Sequence, residues 1–214
     1  MAAEVHYREA TREDLPGIAE IFLAAFPKSV RHYVGREIEP RVIIDVFAIA
    51  LDSEPGAFLM AEVEGKVAGY IFSPAKFSDV VRAAILRGHL LKMFGRWITG
   101  RYSIGAKPAF IAVRNWLSIW REAREEQHHA EARILSIAVS PQHQGLGVGT
   151  GLTRLGLEYL RECGEKTVRL EVRPDNLCAI HVYEKLGFQA KGRTKDTQGE
   201  WLIMLCDLSG DGDA

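Results

Sequence analysis

Residues 139–151 read VSPQHQGLGVGTG, with Gly145, Gly147, Gly149 and Gly151 at every second position. An apolar run, ARILSIAV, precedes this stretch, and LTRLGLEYLREC, with apolar residues at helical spacing, follows it. The first N–H groups of a helix have no intrahelical acceptor, and the helix dipole adds partial positive charge there. Glycines let an anion approach the backbone because they carry no Cβ atom. The stretch therefore predicts a strand–loop–helix junction that binds a phosphate-bearing ligand.

Two common nucleotide-binding patterns do not fit this loop. A Walker A loop needs Lys followed by Ser or Thr after its last glycine, and no such pair follows here. A dinucleotide fingerprint, GxGxxG, fails at its third glycine, where the chain has Thr150 or Leu152. The alternative to ligand binding is a glycine-rich turn that serves only tight packing.

A second motif stands downstream, where residues 170–188 read LEVRPDNLCAIHVYEKLGF. Together with the pattern Gln144-x-x-Gly147-x-Gly149, it resembles the GNAT superfamily of N-acetyltransferases. The resemblance is closest to the branch that acetylates the N-termini of bacterial ribosomal proteins. It covers residues 133–205 well and the N-terminal third only in the order of its elements.

The resemblance implies a fold and a cofactor. The fold is the GNAT acyl-CoA N-acyltransferase fold, of α/β (α+β) class, with a central mixed, mostly antiparallel sheet flanked by helices. The cofactor is acetyl-CoA, bound as a co-substrate, with its pyrophosphate on the glycine loop and its pantetheine arm along the preceding strand. A backbone N–H of that strand is expected to stabilise charge on the thioester oxygen. The implied cofactor-binding residues are Ile137, Ala138, Val139, Gln144, Gly145, Leu146, Gly147, Val148, Gly149, Thr150, Asn176 and Tyr183.

Tyr183 is implied to be the catalytic acid that protonates the departing thiolate. It lies seven residues after Asn176, two helical turns along, and Asn176 is also well placed to cap that helix. A phenol pKa of about 10 and a thiol pKa of about 8.5 make the proton transfer nearly balanced. The alternative is a core aromatic residue packed beside Leu186 and Phe188.

Glu171 is implied to be the catalytic base. An amine arrives as an ammonium ion at neutral pH, and a carboxylate can take its proton directly or through water. The alternative is a solvated strand-end carboxylate that pairs with Arg169 or Arg173. Glu131 and His143 are weaker candidates for the base.

Metal chemistry is not expected. The adjacent residues His128 and His129 lack the spaced partner ligands of a metal site and are expected at a solvated helix end. The three cysteines, Cys163, Cys178 and Cys206, form no CxxC pair.

Composition is that of an ordinary globular protein. The chain has 214 residues, of which 47% are hydrophobic and 26% charged, so we expect one domain over residues 1–208 and a disordered tail over 209–214. The N-terminus has no basic start followed by an apolar run, and no uncharged apolar stretch is long enough to span a membrane. The expected location is the cytoplasm.

Hydrophobic patterning predicts the order β-α-α-β-β-insertion-β-α-β-α-β-β. The segments expected as strands are residues 5–9, the hairpin 57–63 and 67–72, one continuous strand over 133–139, then 167–172, 188–191 and 201–206. Helices are expected after Asp14, after Pro40, after the glycine loop, and over residues 176–186.

The insertion, residues 74–130, separates the third and fourth expected strands and departs from the family pattern. Between Pro74 and Arg121 it has nine basic residues and one acidic residue, Asp79, whereas the whole chain has a net charge of −1. Residues 80–98 are expected to form one helix with an apolar side, and the segment is expected to cover the acceptor side of the cleft. The residues on the apolar side are Val80, Ala84, Leu90, Leu91, Phe94 and Trp97. The residues expected to be buried against the core or a second subunit include Leu90, Phe94, Trp97, Trp116 and Trp120. The residues expected to attract an anionic acceptor are Arg87, Lys92, Arg96 and Arg101.

Two alternatives for the insertion remain open at this point. It is a helix pair that forms a homodimer, or it is a surface that rests on an anionic membrane, which is the less favoured of these readings.

The function predicted from the sequence is an N-acetyltransferase that transfers the acetyl group of acetyl-CoA to a primary amine by direct attack in a ternary complex. The acceptor is left open among small amines, amino sugars and peptide or protein N-termini. The first alternative is a non-catalytic acyl-CoA-binding or regulatory module on the same fold. The second is a nucleic-acid-binding protein, which is not expected because no nucleic-acid motif accompanies the basic segment.

Overall fold

The computed structural model describes residues 4–34, 38–102 and 132–210. The strands are β1 Val5–Glu9, β2 Phe58–Val63, β3 Lys66–Phe72, β4 Ala132–Ile134, β5 Ser136–Val139, β6 Thr167–Val172, β7 Gln189–Asp196 and β8 Gly199–Asp207. The helices are α1 Leu15–Ala25, α2 Pro27–Val34, α3 Pro40–Ser53, α4 Phe77–Leu86, α5 His89–Ile98, α6 Val148–Glu162 and α7 Leu177–Lys185. The predicted bounds of β1 and β6 are confirmed, and α2 is a helix that the sequence pattern did not predict.

The strands form two four-stranded sheets, ordered β1-β2-β3-β5 and β4-β6-β8-β7. Within the described residues every pairing is antiparallel except that of β4 with β6. The hairpin β2–β3 closes through Glu64 and Gly65, both with positive φ, as a tight two-residue turn requires. The expected mixed, mostly antiparallel α/β arrangement is confirmed.

The strand predicted over residues 133–139 is wrong in one respect, because it is two short strands that belong to different sheets. β4 pairs with β6, and β5 pairs with β3. The chain changes partner at Leu135, whose N–H donates to the Phe72 carbonyl at 2.9 Å. β4 and β5 form one apolar run in the sequence, so the hydrophobic pattern alone does not indicate that the chain changes sheets at Leu135.

Two apolar clusters hold the sheets and helices together. One contains residues of β6, β8 and α6, including Leu152, Leu160 and Val168. The other places α1 and α3 against the first sheet around Phe47, Phe58 and Tyr70. The site described below lies where the two sheets separate, between these clusters.

The helix predicted over residues 80–98 is also wrong, because α4 ends at Leu86 and α5 begins at His89. Gly88 between them has a φ of 71°, a conformation that terminates a helix and suits glycine. The two helices also bury different kinds of residue, since α4 buries Val81 and Ala84 whereas α5 buries His89. Trp116 and Trp120 lie outside the described residues, as does most of the tail predicted over residues 209–214.

The expected burial of the apolar residues of α5 against the core is wrong for three of them, and their burial against a second subunit stays a prediction. His89 is the buried residue of α5, whereas Leu90, Leu91 and Phe94 are exposed. No helix in the described ranges combines the length and apolar character needed to cross a bilayer.

Candidate active site

A gap between β5 and β6 forms the centre of the site. β4 and β6 pair over three residues, ending at Ile134 and Leu170, and the two strands then part. β5 turns to pair with β3, while β6 continues beside β8 through Val172. The edge of β5 that faces β6 therefore has no strand partner in the described chain, and an extended ligand can add to it as a strand does.

A cavity of about 400 Å³ opens at this gap. Ser136 and Ile137 of β5 line one side, and Glu171 of β6 lines the other. Asn176 and Tyr183 also line it. Four residues that the sequence analysis assigned to the site therefore meet in one cavity: Ile137, Glu171, Asn176 and Tyr183.

Tyr183 combines the burial of a core residue with a position in the cavity wall. Its side chain is 8% exposed and packs edge-on against Phe188, with ring centroids 5.8 Å apart. Its hydroxyl has no hydrogen-bond partner within the described chain. Burial raises the pKa of Tyr183 to about 12, because the phenolate is poorly solvated there. The phenol therefore keeps its proton at neutral pH and can donate it.

The raised pKa makes the proton transfer less balanced than the sequence analysis assumed. A thiolate in the same cavity would also lose solvation, so its pKa rises too. Burial thus shifts donor and acceptor in the same direction, and part of the balance is restored.

Glu171 is held by an ion pair on its own strand. Arg169 Nη2 donates to Glu171 Oε1 at 2.7 Å, since residues two apart on a strand share a face. The Arg169 side chain is 2% exposed and that of Glu171 is 36% exposed. The second carboxylate oxygen, Oε2, has no hydrogen-bond partner among the described residues, so it is free to accept a proton from an amine or from water.

Asn176 caps α7. Its side-chain oxygen accepts a hydrogen bond from the Ala179 N–H at 3.3 Å. This bond accounts for the position structurally, and the side chain still borders the cavity. Capping and ligand binding are therefore compatible at this residue.

The glycine loop forms a cradle of backbone N–H groups. No amide from residue 144 to residue 150 has a protein acceptor within the described chain. Gly145 and Gly147 have φ values of 81° and 78°, and a Cβ atom at either position would point into open space. α6 starts at Val148, so its unpaired first-turn amides join the same cradle. The loop therefore has amides left over that can donate to an anion, although it does not line the cavity itself.

Gly149 and Gly151 differ in what surrounds them. A Cβ atom at Gly151 would lie 2.1 Å from the Tyr7 hydroxyl, so this glycine allows α6 to pack on β1. At Gly149 the nearest atom would be Val139 Cγ2, at an ordinary 3.5 Å. The packing alternative is thus correct for Gly151, whereas Gly145 and Gly147 shape the exposed loop.

One wall of the cavity was missed by the sequence analysis. Apolar side chains come from α1, α2, α3 and the segment before α3. Arg173, directly after β6, and Trp201 of β8 also line this wall. Phe22 and Phe26 are four residues apart, and this helical spacing was the available signal, but it is equally typical of an ordinary core. The apolar residues of this wall are Phe22, Phe26, Val30, Ile38 and Ile43.

The turn between β7 and β8 ties this wall to the second sheet. Gln198 Oε1 accepts from Ser29 Oγ at 2.9 Å and from Arg173 Nη2 at 2.5 Å. The Arg173 guanidinium also lies 3.7 Å from the centre of the Trp201 ring. Glu171 therefore pairs with Arg169, while Arg173 holds the turn.

The described part of the insertion does not contribute to the cavity. None of its residues from 74 to 102 lines the cavity, so the prediction that the insertion covers the acceptor side is wrong for this part of the chain. Arg96 and Lys92 are not free to attract an acceptor either, because both contact Asp45 of α3.

The weaker candidates stay apart from the cavity. His143 lies in a short 3-10 turn before the glycine loop and does not line the cavity. Glu131, His128 and His129 lie outside the described residues. Among the residues that the structure describes, no group of His, Cys, Asp and Glu is placed to hold a metal ion.

Comparison with known proteins identifies the family. A family model described as the acetyltransferase (GNAT) family matches residues 15–188. The chain belongs to this family. The resemblance of its two motifs to the GNAT superfamily is confirmed.

Its curated relatives include mycothiol acetyltransferases. That of Rhodococcus erythropolis is 28% identical over 182 residues, which cover 82% of this chain and 50% of the relative. That of Tsukamurella paurometabola is 47% identical over 60 residues, which cover 28% of this chain and 20% of the relative. The chain thus spans about half the length, or less, of these two relatives.

Solved structures share the fold. The ribosomal-protein-S18-alanine N-acetyltransferase from Escherichia coli matches with a TM-score of 0.56 and 18% identity, covering 99% of each chain. The yncA protein from Salmonella typhimurium, solved with its cofactor acetyl-CoA, matches with a TM-score of 0.61 and 17% identity, covering 98% of this chain and 96% of that one. At these identities the likeness shows the fold alone.

Proposed function

We propose that this acetyltransferase acetylates a primary amine by direct attack on acetyl-CoA in a ternary complex. The observation that carries the proposal is the gap between β5 and β6, which opens into a cavity lined by both Glu171 and Tyr183. The free edge of β5 would bind the pantetheine arm, and the glycine loop would bind the pyrophosphate. The thioester then lies between a proton acceptor and a proton donor.

The protons and bonds balance with these two side chains. Glu171 takes a proton from the ammonium group, directly or through water, and frees the nitrogen lone pair. The nitrogen forms a bond to the thioester carbon, and the carbon–sulfur bond breaks. Tyr183 gives its proton to the departing sulfur, and the new amide nitrogen loses its remaining extra proton to solvent. Glu171 then releases its proton to solvent and Tyr183 regains one from it, so that the net reaction releases one proton. Acetyl-CoA supplies the activated acetyl group, and the chain orients it and moves the protons.

The wall formed by Phe22, Phe26, Val30, Ile38 and Ile43 favours an acceptor with an apolar group near its amine. Such a group would be buried against the aromatic and aliphatic side chains, while Glu171 attracts the ammonium. A peptide N-terminus with an apolar first residue combines these two features in one molecule.

A CoA-release assay with an acceptor panel tests the function. The panel contains N-terminal peptides, amino sugars, small amines and the deacetylated form of mycothiol, the last chosen from the names of the curated relatives. Release of CoA that requires both an amine and Tyr183 supports the proposal. Tight acetyl-CoA binding with no turnover on any acceptor would instead favour the non-catalytic binding module.

A further inference from the structure

The helix α5 presents its charged side to the protein and its apolar side to the surface. His89 Nε2 lies 2.9 Å from Asp52 Oδ2, and Lys92 Nζ lies 3.9 Å from Asp45 Oδ1. Arg96 donates to the same Asp45 carboxylate. At about 100° per residue, the three basic side chains share one arc of α5, and that arc faces α3.

The opposite arc of α5 is apolar and exposed. Leu91 is 74% exposed, Phe94 54% and Ile98 64%. Leu90 is at the edge of the same arc, and Ile85 and Leu86 extend it from the end of α4. Six of the ten large hydrophobic side chains that are exposed in the described chain therefore belong to this one helix pair. We call the set Ile85, Leu86, Leu90, Leu91, Phe94 and Ile98 the outer face.

This arrangement is the reverse of an ordinary surface helix, which buries its apolar stripe and exposes its charges. Contiguous exposed apolar side chains of this kind mark interaction surfaces. The ion pairs to Asp45 fix the orientation, because turning α5 inward would leave that buried carboxylate without Arg96 and Lys92.

Four exposed basic side chains belong to α4, to the two ends of that helix and to the segment after α5. Lys76, Arg82, Arg87 and Arg101 are exposed and take part in no ion pair within the described chain. Asp79 is the one acidic residue between positions 74 and 102. The surroundings of the outer face are therefore cationic.

This charge decides between a second copy of the chain and an anionic surface. A symmetric dimer would place the arginines of one copy against those of the other, which is repulsive. An anionic bilayer attracts the arginines to lipid phosphates and accepts the apolar side chains at the headgroup boundary.

We propose that the outer face docks this enzyme on an anionic membrane surface. α5 then lies in the plane of the interface and does not cross it. The acceptor cavity stays open, because Ile43 of the cavity wall lies about 200° around α3 from Asp45, on the side away from α5.

Co-sedimentation of the full chain with vesicles tests the proposal. Vesicles that contain phosphatidylglycerol should carry the protein down, those of phosphatidylcholine alone should carry much less, and added salt should weaken the binding. Equal binding to both vesicle types, or no binding to either, overturns the proposal.

Paired variants separate the apolar and electrostatic contributions. Leu91→Gln with Phe94→Gln should weaken binding by about tenfold or more, whereas the control Leu177→Gln, on a residue that is 71% exposed, should not. Arg87→Gln with Arg101→Gln should weaken it about fivefold per arginine. The charge-matched control, Lys66→Gln with Lys195→Gln, should have little effect.

Two further measurements keep the test decisive. Unchanged acetyl-CoA affinity and circular dichroism show that the variants fold. Sedimentation velocity reports on self-association, and a dimer that the Leu91 and Phe94 changes dissociate, with no vesicle binding in the parent chain, would show an interface between copies and overturn the membrane proposal.

Discussion

At the scale of single residues, the burial of Tyr183 determines the protonation state that its proposed role as a general acid requires. Its phenol is buried enough to remain protonated at neutral pH, yet it borders the cavity. Tyr183→Phe should leave acetyl-CoA affinity unchanged and lower kcat by roughly 10²-fold or more, the usual loss for a general acid. Single-turnover kinetics with a reactive acceptor measure the effect.

Tyr159→Phe is the matched control for Tyr183→Phe. It removes a phenol that donates to Glu54 Oε1 at 2.7 Å, away from the cavity. It should lower stability by about 1 kcal/mol and preserve kcat. Equal kcat values in Tyr183→Phe and the parent enzyme would show that water or another group protonates the thiolate.

The raised pKa of Tyr183 also predicts the alkaline side of the pH profile. A general acid loses activity when it ionises, and an acid of pKa about 12 stays protonated through the whole accessible range. We therefore expect kcat to show no decline attributable to this group below about pH 11. A descending limb near pH 9 that disappears in Tyr183→Phe would contradict the assignment.

The proposed role of Glu171 as the catalytic base can be tested by the pH dependence of kcat in a variant. Glu171→Gln keeps an oxygen that can accept from Arg169, so the pair geometry is retained while the base is lost. The loss in kcat should be largest at neutral pH and shrink as pH approaches the pKa of the acceptor amine, because a free amine needs no base. Glu200→Gln, on an exposed pair with Arg193, is the control. A loss that stays constant with pH would indicate positioning instead.

At the scale of elements, the glycine loop joins β5 to α6 and carries unpaired amides. Gly147→Asp should abolish acetyl-CoA binding, because its φ of 78° is strained for a side chain and a carboxylate repels the pyrophosphate. Gly147→Ala separates the two causes, since it adds the strain without the charge. Calorimetry should rank the affinities parent, Ala, then Asp, and similar affinities in all three would place the pyrophosphate elsewhere.

The attachment of α5 to α3 is the second element-scale feature. Asp45 is buried and accepts from Arg96 and from the Tyr102 hydroxyl. Asp45→Asn should lower the free energy of unfolding by about 1–3 kcal/mol, since it leaves a cation without its partner. Acetyl-CoA affinity should stay the same, because the cavity lies on the other side of α3. Urea denaturation beside the exposed control Asp79→Asn measures it, and equal stability of both would show that Asp45 does not hold α5.

At the scale of the whole molecule, the sequence predicts the features that depend on neighbouring residues and misses those that depend on contacts distant in sequence. The hairpin turn, β6, the Asn176 cap and the glycine loop each depend on residues close in sequence, and their positions were predictable. The change of partner at Leu135 was not, because pairing with β3 or β6 depends on where the sheets lie. The cavity wall around Phe22 and Phe26 was not predicted for the same reason. Aromatic residues of a core and of a binding site have the same spacing in the sequence.

The insertion shows a second limit of sequence reasoning. Its apolar residues were expected to be buried because a contiguous exposed apolar patch is unusual on a monomer. Asp45 and Asp52, which are distant from α5 in the sequence, instead contact its basic arc and leave Leu91 and Phe94 exposed. A helical wheel of α5 shows a basic arc and an apolar arc. It does not show the acidic residues of α3, which determine that the basic arc faces the protein.

The overall stability of the fold against acid should depend on one ion pair between β1 and the start of α1. Arg8 donates to both carboxylate oxygens of Asp14 at 2.7 Å, and the Thr11 N–H and hydroxyl donate at 2.8 Å. These bonds, those from Arg8 foremost, lower the pKa of Asp14 to about 2 from 3.8. A carboxylate with a lowered pKa stabilises the fold above its unfolded pKa, and this contribution is lost as pH falls toward the folded value.

Asp14→Asn should therefore reduce the free energy of unfolding by about 2 kcal/mol at neutral pH. The difference from the parent should stay constant down to about pH 4 and then narrow toward pH 2, where the parent carboxylate is itself protonated. Glu13→Gln, the exposed neighbour in the same turn, should show no such difference. Urea denaturation at a series of pH values checks this, and a deficit that persists unchanged at pH 2 would mean that Asp14 acts through shape and neutral hydrogen bonds, with its charge playing no part.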